Sequence, residues 1–194
     1  MTQPTTLYLL RHAESAPSRH LPERDWPLSP RGARQADALV RQLAGLHLDH
    51  VVASPYRRAI DTVAPVAHAA GRGVHVEQDL HERILTDGYT DQWAALVRAS
   101  WDDWSLAHPG GESGFDCQRR VTDCLRRIAA GYGGARVLVC SHGNAIALFL
   151  NTLDRRVGRG VWRRMRTPDL FRIDCTPAGW RWERRFVPPI EAVD

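Results

Sequence analysis

The 194-residue sequence predicts an α/β protein whose central sheet is mostly parallel. Three short, uninterrupted apolar runs, at residues 7–10, 51–53 and 137–140, each stop abruptly at polar or basic residues. Runs of this kind are typical of strands that are buried on both faces, as strands in a parallel sheet are. Segments with apolar residues at helical spacing lie between the runs, which favours alternating strands and helices.

The first half of the chain carries boundary signals for two helices. Ser29 followed by Pro30 is typical of a helix N-cap and first turn, and apolar residues at helical spacing then continue until Gly45. A second helix is expected to begin near Arg57 and to end at Gly71. The strands around these helices are expected at about residues 5–10, 50–53 and 74–77.

The second half departs from this alternation between residues 84 and 113. This segment holds three tryptophans and ends in Pro109-Gly110-Gly111, and we expect a partly helical excursion that covers the strand ends. With no repeat or linker in the chain, we expect one domain over residues 1–194. The remaining elements are expected to be a helix at about 112–130, a strand at 137–140, a helix after His142, and a terminal hairpin of strands at 170–175 and 180–186 at the sheet edge.

The composition excludes several classes of protein. It is 43% hydrophobic and 25% charged, as in ordinary globular domains. No apolar stretch approaches the ~18–20 residues of a membrane span, and no basic region precedes the first apolar run as in a signal peptide. We therefore expect no membrane association and a cytoplasmic location. The four cysteines lack zinc-ligand spacing, and we expect them to be reduced and mostly buried.

All 26 basic residues are arginine, and the net charge is +4. Codon bias in a GC-rich genome explains such a total, so only the positions of individual arginines carry information. The arginines within 155–166 and 181–185 leave a nucleic-acid-binding protein open as an alternative. A solvated surface is the simpler interpretation, and we expect no nucleic-acid partner.

Four side chains follow the three apolar runs. The first run stops at Arg11 and His12, the second is followed shortly by Arg58, and the third by His142. Because ligands of open α/β sheets bind outside the carboxyl ends of the strands, we expect these side chains to line one crevice. Arginine forks match phosphate oxygens in pairs, so the crevice is expected to hold a phosphate.

A helix that begins after His142 strengthens this hypothesis. Its first backbone N–H groups, from Gly143 and Asn144, are expected to be free and to face the anion. His12 is expected to attack the phosphorus as an unprotonated imidazole, which gives a phosphohistidine. Glu82 is the candidate general acid that protonates the leaving oxygen and later takes a proton from water. No cluster of ligands predicts a metal ion.

These residues resemble a known family. The stretch LYLLRHAES at 7–15 closely resembles the Arg-His-Gly signature of the histidine phosphatase superfamily, which has the phosphoglycerate mutase-like fold. The resemblance covers about residues 6–150 and implies a three-layer α/β/α sandwich. The further motifs that match are LSPRG at 28–32, SPYRRA at 54–59, LHER at 80–83, PGGES at 109–113 and SHGN at 141–144.

The resemblance implies phosphate transfer through His12 without a metal or other cofactor. It places Arg11, Arg58 and His142 around the phosphate and makes Glu82 the proton donor.

Three departures from the phosphoglycerate mutases of the family favour a phosphatase. Ala13 replaces a glycine, Pro17-Ser18 replaces a Trp-Asn pair, and the chain lacks the lysine with which the mutases bind substrate. Ser18 is then expected to take over the asparagine contact with phosphate.

We therefore expect a phosphatase that hydrolyses a small phosphorylated metabolite, with a cofactor-dependent phosphoglycerate mutase as the alternative. A non-catalytic relative that only senses phosphorylated ligands is disfavoured, because the motif residues that the resemblance assigns to catalysis are all present. These are Arg11, His12, Arg58, Glu82 and His142. The sequence leaves the oligomeric state open, with a homodimer as one alternative, and it does not identify the substrate.

Overall fold

The computed structural model describes residues 4–193, and these contain a mixed six-stranded sheet flanked by helices. The strand order is β3-β2-β4-β1-β5-β6. Strands β3, β2, β4 and β1 pair in parallel, whereas β5 runs antiparallel to both β1 and β6. The strands are β1 Thr5–Arg11, β2 His50–Ala53, β3 Val74–Val76, β4 Arg136–Ser141, β5 Asp169–Thr176 and β6 Gly179–Trp182.

Two hydrophobic cores lie on opposite faces of this sheet. Along β1, Leu7 and Leu9 face one core, and Tyr8 and Leu10 face the other, as alternation along a strand requires. The first core includes α4 and α5, and the second includes α1 and α2. The expected three-layer α/β/α fold with a mostly parallel sheet is confirmed. The helices are α1 Pro30–Leu43, α2 Arg57–Ala69, α3 Trp93–Asp102, α4 Gly114–Gly131, α5 Gly143–Leu153 and α6 Arg159–Trp162.

Helix boundaries follow from hydroxyl caps. The Ser29 hydroxyl accepts the N–H of Gly32 at 2.9 Å, as the sequence predicts for α1. The Ser113 hydroxyl accepts the N–H of Asp116 at 3.0 Å and starts α4 one residue later, so the helix begins at Gly114 and not at the expected 112. The four-residue α6 was not predicted, because so short a helix shows no periodicity.

The segment between β3 and α4 packs onto α5 through Trp101. The buried Trp101 donates its indole N–H to the Asn144 side chain at 2.9 Å. The Trp101 ring also lies 5.6 Å from that of Trp104 and 5.9 Å from that of Trp162, measured between ring centroids. Helix α3, the regular part of this segment, is therefore anchored next to the first turn of α5.

No helix among residues 4–193 is both long enough and apolar enough to cross a membrane. The cytoplasmic location stays a prediction. The four cysteines are all free and buried, as expected.

Candidate active site

Two imidazoles emerge side by side at the carboxyl edge of the sheet. Strands β1 and β4 are parallel neighbours, and their last residues, Arg11 and Ser141, lie opposite each other. The next residue on each chain is a histidine, so His12 and His142 meet with their ring centroids 5.1 Å apart. The structure thus brings together two histidines that are 130 positions apart in the sequence.

His12 is a neutral imidazole whose Nε2 carries no hydrogen. Its side chain is buried, and Nδ1 lies 2.7 Å from the Ala13 carbonyl oxygen, which can only accept, so Nδ1 carries the hydrogen. Nε2 is therefore unprotonated and accepts an N–H from Arg58 at 3.2 Å. Burial lowers the pKa of His12 to about 3, and the charges of Arg58 and Arg11 act in the same direction. Burial is the larger of these causes.

Arg58 uses each of its three nitrogens. Beyond the bond to His12, Nη1 donates to the Glu23 carbonyl oxygen and Nη2 to the Glu23 carboxylate, both at 2.8 Å. The guanidinium also lies 4.8 Å from the centre of the Tyr56 ring. Its neighbour Arg57 points elsewhere and pairs with Asp61 one turn along α2. Arg58 is therefore the arginine that α2 contributes to the site, as the motif alignment implies.

Glu23 is the site residue that the sequence did not reveal. It lies in a single 3₁₀ turn, Glu23–Asp25, inside the loop that follows β1. Burial raises the pKa of Glu23, the nearby Glu82 raises it further, and Arg58 opposes both. No periodicity or motif distinguishes this position, because only the path of the loop brings its carboxylate to Arg58.

His142 is completely buried at the start of α5. Its Nε2 lies 2.7 Å from the hydroxyl oxygen of Ser54, which follows β2, and its Nδ1 has no hydrogen-bond partner among the described residues. Burial holds the pKa of His142 well below its usual value, and the charges of Arg58 and His12 lower it further. His142 is thus a neutral ring beside His12, with one nitrogen that lacks a partner in the described chain.

Glu82 spans the first turn of α5. Its carboxylate accepts the backbone N–H of Arg83 at 2.8 Å, that of Ala145 at 3.1 Å and that of Asn144 at 3.3 Å. The expectation that the Asn144 N–H is free to face a phosphate is therefore wrong, because Glu82 takes it. Glu82 thus satisfies backbone N–H groups that the first turn of α5 leaves without partners in the helix.

Arg11 and Gly143 pack directly against each other. A Cβ on Gly143 would lie 3.2 Å from Nε and Cζ of Arg11 and 3.0 Å from the indole nitrogen of Trp162, so a side chain would force these groups apart. Arg11 donates through Nη1 to the Met165 carbonyl oxygen at 2.8 Å, and its buried Nε has no partner in residues 4–193. Burial lowers the pKa of Arg11, but a guanidinium remains charged at any physiological pH.

The contacts of Ser18 lie within the loop that follows β1. Its hydroxyl accepts the backbone N–H of His20 at 3.2 Å, and its carbonyl accepts the indole N–H of Trp26 at 3.0 Å, so both contacts stay within the loop. The contact between Ser18 and phosphate stays a prediction. Ala13 fits the place of the usual glycine, since His47 is the one non-glycine residue of positive φ in the described chain.

Comparisons with known proteins identify the family of this chain. A family model described as the histidine phosphatase superfamily (branch 1) matches residues 7–187. The bifunctional protein Rv2228c of Mycobacterium tuberculosis is 39% identical over 173 residues, which cover 84% of this chain and 47% of that protein. The chain thus spans about half the length of this relative.

A second relative and a solved structure cover nearly the whole chain. The probable phosphoglycerate mutase GpmB of Salmonella choleraesuis is 27% identical over 191 residues, which are 90% of this chain and 86% of that protein. The mycobacterial glucosyl-3-phosphoglycerate phosphatase Rv2419c, solved with VO3, superposes with a TM-score of 0.72. It is 25% identical over 92% of this chain and 97% of its own. From the family model and the fold together, the chain belongs to the histidine phosphatase superfamily.

Proposed function

We propose that this protein is a phosphatase that hydrolyses small phosphomonoesters by way of a phosphohistidine on His12. One observation carries the proposal: the unprotonated Nε2 of His12 lies 3.2 Å from the Arg58 guanidinium and next to a second buried imidazole. Transfer of a phosphoryl group requires an unprotonated nucleophile, and a guanidinium group beside it can bind the phosphate oxygens. The name of one solved relative, a phosphatase, supports the same reaction class.

In the first step the lone pair on Nε2 of His12 attacks phosphorus, an N–P bond forms, and the ester P–O bond breaks. Arg58 releases Nε2 and turns its N–H groups to the phosphoryl oxygens. Arg11, whose Nε lacks a partner in the described chain, and His142 face the same negative charge. If the Ser54 hydroxyl donates to Nε2 of His142, the hydrogen on Nδ1 is the donor that the phosphate receives. Gly143 lets Arg11 approach closely enough, and Ser18 remains a candidate contact from the loop.

Glu82 is proposed to act first as the general acid and then as the general base. In the first step its carboxyl group gives a proton to the leaving oxygen, so the product departs as an alcohol. In the second step the carboxylate takes a proton from water as the water oxygen attacks phosphorus, the N–P bond breaks, and inorganic phosphate and neutral His12 are restored. Arginines, ring N–H groups and backbone dipoles compensate the charge in both steps, so the reaction as proposed uses no metal or cofactor. Incubation with EDTA is expected to leave the rate unchanged.

Trapping the intermediate tests the proposal directly. Phosphate label from p-nitrophenyl phosphate should remain on the protein after an alkaline quench, which preserves phosphohistidine. His12→Asn should abolish the label, and His68→Asn, which changes an exposed histidine of α2, should retain it. Label that persists in His12→Asn would refute His12 as the nucleophile.

A mutase is the second candidate, because one relative is named a probable phosphoglycerate mutase. It requires 2,3-bisphosphoglycerate as a cofactor and a site that excludes water from the phosphohistidine. The test is whether 2- and 3-phosphoglycerate interconvert in the presence of this bisphosphate. Interconversion that is faster than release of inorganic phosphate would replace the phosphatase proposal.

A further inference from the structure

A cavity of about 440 Å³ opens beside Arg11, outside the cluster of histidines and glutamates. Its walls come from α6 and from the segment that leads into β5. Strand β5 is antiparallel to β1 and places its first residue, Asp169, opposite Arg11, so this segment reaches the sheet edge that carries His12. The cavity is lined by Arg11, Trp162, Arg163, Met165, Arg166 and Thr167.

The lining is rich in positive charge and poor in acceptors. Three of the six residues are arginines, and the exposed side chain of Arg163 forms no hydrogen bond or ion pair within residues 4–193. Arg166 has its nearest carboxylate, that of Asp169, at 3.9 Å, and this carboxylate already accepts the backbone N–H groups of Arg166 and Leu170. The groups of the cavity that remain available to bind a ligand are therefore cationic.

One buried donor next to the cavity also lacks an acceptor in the described structure. It is the indole nitrogen of Trp162, which belongs to the cavity lining. A buried N–H group without a partner is unfavourable, so a site that keeps one unpaired is commonly completed by a ligand or by water. The Met165 carbonyl, the natural acceptor of this wall, is already bonded to Arg11.

Arg11 connects the cavity to the catalytic cluster. Its guanidinium lines the cavity and also interacts electrostatically with Glu82 and Arg58. A substrate whose phosphate lies at His12 would therefore extend past Arg11 towards Arg163 and Arg166. A neutral polyol would need acceptors as well as donors in this wall, whereas a carboxylate or phosphate needs only donors.

We propose that this cavity binds a second anionic group of the substrate, a carboxylate or another phosphate, while the scissile phosphate lies at His12. The inference rests on the proposed function and narrows its substrate class to phosphomonoesters that carry a second negative group. Arg163 and Arg166 are then residues that determine specificity and do not take part in the chemistry.

Competition against p-nitrophenyl phosphate hydrolysis tests this inference. The first probe pair is 3-phosphoglycerate and glycerol 3-phosphate, which share a three-carbon skeleton and differ in the terminal carboxylate. The second pair is fructose 1,6-bisphosphate and fructose 6-phosphate, which differ in one phosphate. In at least one pair, the inhibition constant of the doubly anionic member should be about tenfold lower, as for one charge-assisted contact.

Substitutions test which residues cause the preference for the doubly anionic member. The double substitution Arg163→Gln and Arg166→Gln should reduce it to less than about threefold, and each single change should reduce it partly. Arg126→Gln on α4 removes the same charge near the opposite end of the sheet, where Ala129 contacts Thr5 at the start of β1, and should retain the preference.

The outcomes separate the two proposals. Absence of p-nitrophenyl phosphate hydrolysis by the wild-type protein would refute the proposed function. Hydrolysis with equal inhibition by both members of each pair, or a preference that survives the double substitution, would refute the second anion site alone.

Discussion

The two sides of the Arg58 guanidinium are built differently. On the strand side, Nε donates to His12, which is buried directly after β1 and fixed by the Ala13 carbonyl. On the loop side, the two terminal nitrogens bind Glu23, whose side chain is 29% exposed and lies in a single 3₁₀ turn. The strand side thus holds the proposed nucleophile in a fixed orientation, whereas the loop side holds an internal carboxylate where the phosphate is expected to bind. Substitutions on the strand side should abolish phosphoryl transfer, and substitutions on the loop side should alter the KM for the substrate.

The largest effect is expected from His12 itself. His12→Ala should reduce p-nitrophenyl phosphate hydrolysis by about 10⁴-fold or more, because no other group in the cluster can replace the attacking nitrogen. The fold should survive, as judged by circular dichroism, since the lost contacts are two hydrogen bonds at a strand end. Substantial remaining activity would show that the strand side does not supply the nucleophile.

Glu82 should show the second largest effect, and the effect should depend on the leaving group. Glu82→Gln is expected to slow hydrolysis of an alkyl phosphate by about 10²–10⁴-fold, because an alkoxide needs a proton to leave. Hydrolysis of p-nitrophenyl phosphate should suffer much less, since nitrophenolate leaves without one.

In the wild-type protein, backbone N–H groups of α5 donate to the Glu82 carboxylate. Because Glu82→Gln puts an amide in its place, it can also change stability, so the melting temperature must be measured in parallel. Glu191→Gln, an exposed change near the C-terminus, is the matched control. Equal losses on both substrates would contradict a role for Glu82 in proton transfer.

The difference between the two sides explains what the sequence could predict. His12 and His142 follow apolar runs that mark buried parallel strands, and the rule that ligands bind at strand ends places both in one crevice. Glu23 follows no such run, and its position depends on how a loop with three prolines folds back over α2. The pairing of Glu82 with Asn144 was equally hidden, because it depends on the distance between two segments that are not adjacent in sequence.

The buried histidines should also make stability depend on pH. In the unfolded chain a histidine takes up a proton near pH 6.5, whereas folded His12 does so only at about pH 3. The contribution of the neutral imidazole to the free energy of unfolding is therefore fully present above pH 6.5. This contribution falls as the pH drops towards 3, by up to about 1.4 kcal/mol per pH unit for each such histidine.

Thermal unfolding between pH 7 and pH 4 measures this slope. His12→Asn should flatten it, because one of the two buried imidazoles is lost, while His68→Asn should retain it. An unchanged slope in His12→Asn would show that His12 is not held neutral on the strand side.

The smallest effect is expected on the loop side, where Glu23 competes with phosphate for Arg58. Glu23→Gln should lower KM for p-nitrophenyl phosphate by about three- to tenfold, because the incoming dianion no longer displaces or faces a carboxylate. The value of kcat should change less, since Glu23 is not assigned to a bond-making step. Asp25→Asn removes a charge from the same turn, where Asp25 is not bonded to Arg58, and should leave KM near the wild-type value.

The pH dependence of KM in the wild-type protein and in Glu23→Gln tests whether the Glu23 carboxylate is the group that weakens substrate binding. Burial raises the pKa of Glu23, so its carboxyl group becomes neutral earlier than an exposed glutamate as the pH falls. The ratio of wild-type KM to Glu23→Gln KM should then be largest near neutral pH and approach one in acid, where both side chains are uncharged. Taking the ratio at each pH cancels the ionisation of the substrate phosphate, which both proteins experience alike. A KM that rises in Glu23→Gln would mean the opposite: the carboxylate would be orienting Arg58 for the substrate, and the loop side would be as preformed as the strand side.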